Sequence, residues 1–180
     1  MTRSAADDAD EAGDPDDTPA ILAVRATGVR HAIVRTRPAR DPLESAELQQ
    51  IELGDLVRTI VVRRAEKDYV LVLVPAGRRF DWPRLREHLG VRRLALPDAE
   101  EAKAATGYER GAITPFGALG GWPVIADLSI VGRPRVAIGG GARGVNIHLS
   151  AADLIAASGA VVADVTTADD APAGGAGTRA

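Results

Sequence analysis

A mixed β-sheet in a single α+β domain is predicted by two features of this 180-residue chain. β-rich runs occur both as a hairpin and between helical segments, and no linker or repeat divides the stretch from 18 to 166. With 46% hydrophobic and 26% charged residues, the composition is that of an ordinary globule with one core. Aromatics make up only 3%, so Val, Ile, Leu and Ala must fill that core. Few rings are then left on which bases could stack.

The elements follow from local signals. Thr18 caps a helix that opens with Pro19 and stops at Gly28, with Ile21, Leu22 and Val24 on its apolar side. His31–Arg35 reads as a short strand. After Pro38 and Pro42, residues 43–53 carry Leu43, Ala46, Leu48 and Ile51 at helical spacing, with Gly54 as a stop. Residues 57–62 and 69–74 are β-rich and separated by the charged run 63–68, a hairpin signal. Asp81 begins a helix with Pro83 in its first turn and Gly90 at its end; Pro97 and Asp98 open another that runs to about Ala105. Strands are expected at Val124–Asp127, 136–138 and Val145–Leu149. Ser150 caps the helix Ala151–Ser158, and residues 161–165 return as a strand.

Residues 1–17 hold seven acids and Arg3, a charge of −6, and residues 167–180 carry −1, so the net −3 leaves +4 on the part between. Neither end has enough apolar surface to offset chain entropy, and both are expected to be disordered tails. The basic groups of the core are mostly Arg, suited to bidentate phosphate recognition or to solvating a surface. No cysteine is present, which excludes disulfides, thiolate metal sites and a Cys nucleophile. No apolar run could span a bilayer, and the acidic N-terminus does not resemble a signal peptide, so a cytoplasmic protein is expected.

Two glycine-rich segments stand out. In ATGYERGAITPFG (105–117), Gly107, Gly111 and Gly117 can take positive φ and Pro115 stiffens the turn, so that loop amides can grip a carbonyl or phosphate oxygen. IGGGARG (138–144) brings backbone close to a ligand beside Arg143. Taken alone, both read first as plain turns, and neither matches a dinucleotide or P-loop fingerprint. His31, His88 and His148 lack metal-ligand spacing, and no Gly-x-Ser-x-Gly elbow exists. An enzyme built this way would work by positioning.

The succession VRTIVVRR, YVLVLVPAGRRFD, a helix ending HLG, TGYERGAITPFG and GGGARGVNIHLSAADL resembles the YbaK family of aminoacyl-tRNA deacylases, relatives of the editing domain of bacterial prolyl-tRNA synthetase. The likeness covers about residues 20–166, and its most specific element is Gly111 to Pro115 followed by Phe116 and Gly117. It implies a barrel-like mixed sheet flanked by helices and a trans-acting hydrolase. The enzyme would cleave the ester of a small amino acid such as Ala or Cys from tRNA-Pro, without metal or cofactor. The implied partners are the acceptor end of a mischarged tRNA and an aminoacyl-tRNA synthetase.

The resemblance also implies site residues. Arg58, Gly111 and Pro115 would be catalytic. Thr36, Thr59, Thr114, Phe116, Gly117, Gly140, Gly141, Arg143, Gly144 and Asn146 would bind substrate. Arg58 stands where the family commonly has Lys, and Asn146 and Thr36 stand where the branch acting on cysteinyl-tRNA tends to have Asp and Tyr. Because Arg is planar and cannot serve as a base, the exchange leaves a second reading, a catalytically impaired tRNA- or nucleotide-binding module.

Overall fold

The structure, a computed structural model, describes residues 16–169. Among these residues five α-helices begin where a short polar side chain takes up an orphan amide. Thr18 accepts from Ile21 N at 3.2 Å to start α1 (Pro19–Thr27), and Asp41 from Glu44 N at 2.8 Å to start α2 (Pro42–Gln49). Asp81, Asp98 and Ser150 do the same for α3 (Trp82–Leu89), α4 (Ala99–Thr106) and α5 (Ala151–Ser158). A left-handed glycine closes α1, α3, α4 and α5. Helix α2 ends four residues before the expected limit of 53, because Gln50 itself turns left-handed at φ 55° and the chain re-forms as a 3-10 turn, Leu53–Asp55.

Among the described residues nine strands form three sheets. β1 (His31–Arg35), β7 (Val145–Leu149) and β6 (Val136–Gly139) are antiparallel neighbours in that order. β2 (Val57–Ala65) and β3 (Asp68–Pro75) make the hairpin, and β5 (Val124–Asp127) and β8 (Val161–Ala163) extend it in parallel. β4 (Arg78–Phe80) pairs with β9 (Thr166–Ala168). The mixed α+β class is as the sequence predicts, but no closed barrel forms among the described residues. β6 and β2 are each an edge strand paired on one side only, yet among the described residues the two larger sheets join as a ladder only through the parallel bridge Leu56↔Ala137.

The hairpin is longer than expected. Arg64 and Asp68 pair at 2.6 Å across a turn of two residues, with Lys67 at φ 53°, and Arg63 exchanges backbone bonds with Ala95. The expected strand 161–165 is broken after Ala163, where the buried Asp127 carboxylate accepts Val165 N at 3.1 Å; the chain then resumes as β9. Ordered structure therefore passes the expected limit of 166 to include Thr167 and Ala168. At the other end Asp16 and Asp17 are placed, and the Asp17 carboxylate pairs with Arg25. The expected disorder of the acidic and C-terminal tails otherwise lies outside the described residues.

β3 is buried on both faces, so its alternate side chains feed two cores. Tyr69, Leu71 and Leu73 join Val57 and Val61 beneath the β1-β7-β6 sheet, α1, α4 and α5. Val70, Val72 and Val74 join Val62 and Leu85 of α3 on the other side. The rigid β2-β3 pair is thus the wall against which the site is built.

Candidate active site

A cleft of about 360 Å³ opens where the chain leaves β1, at the N-terminal ends of α2 and β2. Residues 36–45 form one wall, Val57 to Ile60 the second, Arg110, Gly111 and Ile113 the third, and Gly139 with residues 143–146 the floor.

The first wall owes its shape to Glu44, which is buried in the first turn of α2. Its carboxylate accepts from Arg40 N at 2.6 Å, Arg40 Nε at 3.1 Å and Arg37 Nη2 at 2.7 Å. The hydrogen bonds from Arg40 and then Arg37 hold its pKa down to about 2. The floor is set by strand register. Asn146 lies opposite Val34, Thr36 N donates to Gly144 O at 2.8 Å, and a Cβ on Gly144, which sits at φ 77°, would overlap the Thr36 carbonyl.

On β2, Arg58 is half-buried and held by main-chain oxygens. Its Nη2 donates to Arg78 O at 2.6 Å and more weakly to Pro75 O at 3.4 Å, while its buried Nε has no partner. Burial lowers its pKa, partly offset by Asp169. The neighbouring Thr59 hydroxyl is also buried without a partner. Four guanidiniums, Arg40, Arg58, Arg110 and Arg143, line the cleft; Arg40 is paired with Glu44 behind the wall, and the one carboxylate in the lining among the described residues, Asp41, is occupied as the cap of α2. Arg110 donates to Pro97 O at 3.0 Å, and Arg143 makes no ion pair among the described residues. Such a lining suits an anionic ligand.

Of the residues singled out in the sequence, Thr36, Arg58, Thr59, Gly111, Arg143, Gly144 and Asn146 converge on this cleft. The second half of the 106–117 loop does not line it. Tyr108 OH donates to Phe116 O at 2.9 Å, Phe116 is in the core, and Thr114 is fully buried with an unpartnered hydroxyl. Pro115 is half-buried outside the lining, and Gly117 lies so close to α1 that a Cβ would meet Pro19 O at 2.6 Å. Gly140 and Gly141 likewise turn toward α1, where Thr18 Oγ1 donates to Gly140 O at 2.5 Å and Gly141 packs on Tyr108. These positions support the loop from beneath. Sequence reasoning missed Pro38 to Pro42, Ser45, Arg110 and Ile113. The pair of prolines around Arg40 and Asp41 was their one available signal.

The lining offers hydroxyls, amides and guanidiniums but no His, Lys or Cys. It can bind and polarise an ester and hold a water or a substrate hydroxyl against it, leaving the nucleophile to come with the substrate. No group of three or more His, Cys, Asp or Glu that could hold a metal occurs among the described residues.

Comparison with known proteins agrees with this chemistry. Residues 36–157 match the family model described as an aminoacyl-tRNA editing domain. A candidate Cys-tRNA(Pro)/Cys-tRNA(Cys) deacylase of Enterococcus faecalis, EbsC, is 24% identical over 122 residues, 68% of this chain and 74% of the relative. The proline–tRNA ligase of Moorella thermoacetica is 37% identical over 75 residues, 42% of this chain but only 13% of that enzyme. A crystal structure titled as that of a candidate trans-editing enzyme for prolyl-tRNA synthetase superposes with a TM-score of 0.76 at 28% identity, covering 83% of this chain and 95% of that one. With the editing-domain model matched over residues 36–157, most of the described length, this chain belongs to the aminoacyl-tRNA editing domain family.

Proposed function

We propose that this protein is a trans-acting aminoacyl-tRNA deacylase, cleaving the ester between a wrongly attached amino acid and the terminal ribose of a tRNA. The observation that carries this reading is the cleft itself, small, Arg-lined and walled by the Gly111 to Ile113 loop. The amino acid lies against Thr36, Ser45 and Asn146, and the loop amides at Gly111 meet the ester carbonyl. A water, oriented by the free ribose hydroxyl, gives up a proton and attacks that carbonyl. The bond to the ribose oxygen breaks, the ribose oxygen takes the proton, and free amino acid and tRNA leave. Arg58 supplies fixed positive charge and orientation.

The likeness to EbsC and to a prolyl-tRNA synthetase supports a small amino acid, Ala or Cys, on tRNA-Pro. A larger correct residue is excluded by size. A synthetase as partner and a cytoplasmic site of action go with that substrate. No helix among the described residues is long and apolar enough to cross a membrane.

Purified protein should release alanine or cysteine from mischarged tRNA-Pro above the buffer rate. Arg58→Ala is expected to slow release about 100- to 1,000-fold, of the order found on losing one well-placed electrostatic group. Full activity in Arg58→Ala would remove Arg58 from the site. A specific observation favours a second reading, a non-hydrolytic RNA-binding module: the Arg58 guanidinium is tied to the carbonyls of Arg78 and Pro75. On that reading tRNA is retained at low salt without turnover, and Arg58→Lys restores release.

A further inference from the structure

Beside the cleft, and sharing Arg58 and Ile60 with it, runs a groove between β4, the start of α3 and Leu96. Phe80 and Trp82 form its apolar side, with ring centroids 4.9 Å apart at 57°, and both are half-buried. Leu96, 53% exposed, faces them across the groove.

The chain has six Phe, Trp and Tyr residues, and the other four are committed elsewhere. Tyr69, Tyr108 and Phe116 are buried, and Trp122 packs edge-on to Tyr69 and donates its indole N–H to Ala105 O at 2.7 Å. The scarcity of rings therefore does not spread them evenly. The pair with an accessible side lies next to the candidate active site, among Arg58, Arg78 and Arg79, with Asp169 as the groove's only acid among the described residues. Arg78 is engaged with Thr166, but the half-buried Arg58 is bonded to carbonyls and has no ion pair among the described residues, so an arriving anion gains most there.

An apolar slot with an aromatic face and a guanidinium, continuous with the cleft in which the deacylase reading places the terminal nucleoside, fits one ligand chemistry: an unpaired nucleobase and the phosphate joining it to the next nucleotide. We propose that this groove binds the nucleotide preceding the terminal adenosine, its base against Trp82 and its phosphate at Arg58. The proposal rests on the deacylase reading for the position of the terminal adenosine and deepens it by giving the RNA strand its path out of the cleft.

The test uses the full chain. Intrinsic tryptophan fluorescence is titrated with a single-stranded oligoribonucleotide ending in Cp-Cp-A and, separately, with adenosine. Saturable quenching by the oligonucleotide alone, absent in Trp82→Phe, is expected. Deacylation is then compared on mischarged tRNA and on aminoacyl-adenosine. Trp82→Leu, which keeps apolar packing and removes the ring, should raise KM for the tRNA substrate with a loss in kcat/KM of about 5- to 150-fold. Trp82→Phe should restore most of it, and all forms should be equal on aminoacyl-adenosine.

Equal losses on both substrates, or no quenching, would overturn the proposal. So would an emission change on deleting residues 170–180 without any quenching by the oligonucleotide, which would assign the groove to this chain's own C-terminal segment. Quenching without any deacylation would sink the enzyme reading and leave the groove as an RNA site; deacylation without quenching would do the reverse.

Discussion

Glu44 sits under residues 37–41 with its carboxylate bonded to one amide and two guanidiniums, and so fixes the wall of the cleft that no strand supports. Its pKa falls from an ordinary 4.5 to about 2, so its contribution to stability is fully present above about 4.5 and is lost as pH falls through 4.5 toward 2. Glu44→Gln should abolish that acid sensitivity and raise hydrogen exchange at residues 37–41 at neutral pH; unchanged exchange would deny it the role. His148 behaves in the same direction at higher pH. It is buried on β7 with Nε2 donating to Gln49 Oε1 at 2.8 Å, and burial, then Arg135, lowers its pKa. The unfolded chain binds the proton more readily, so stability is full above about 6.5 and declines as pH falls below it. His148→Gln should flatten melting temperature between pH 7 and 5. At Gly144, where a Cβ would strike the Thr36 carbonyl and φ is positive, Gly144→Ala should destabilise the fold and loosen the cleft floor, by about 1–3 kcal/mol in chemical denaturation.

At the scale of elements, α4 carries the 107–117 loop, and its docking is polar. Glu101 accepts both Arg63 Nη1, at 2.7 and 2.9 Å, and Tyr69 OH at 2.7 Å, which draws its pKa down and the Tyr69 pKa up. Glu101→Ala should lower the melting temperature and, by shifting the loop that follows α4, reduce deacylation. Unchanged turnover would make the contact purely structural. Helix starts were legible because each depends on one side chain and an amide three residues on, as at Asp81, Asp98 and Ser150. The end of α2 was not, because a left-handed Gln50 rather than Gly54 stops it. β4 and β9 escaped notice because three residues give no periodicity; their pairing depends on Asp127 turning the chain at Val165.

At the scale of the whole molecule, the sheet lies between two cores, and the loops on it form the candidate site. Leu73, fully buried at its centre, should cost about 2–5 kcal/mol when changed to Ala, read from denaturant unfolding. The fold class was legible from hairpin and helix patterning, whereas the expected barrel was not realised because the sheets meet at one bridge. Half the cleft was legible from its glycines and Arg58. The rest depends on the β1-β7 register, which brings Arg40 and Ser45 across from Asn146 although they lie about a hundred residues apart in sequence. The most direct test of the central claim is the release of alanine and cysteine from mischarged tRNA-Pro by wild type and by Ala39→Trp, which fills the cleft from an irregular loop. Wild type should exceed the buffer rate, and Ala39→Trp should fall to it with its melting temperature unchanged; equal rates in the two would contradict the assignment of hydrolysis to this cleft.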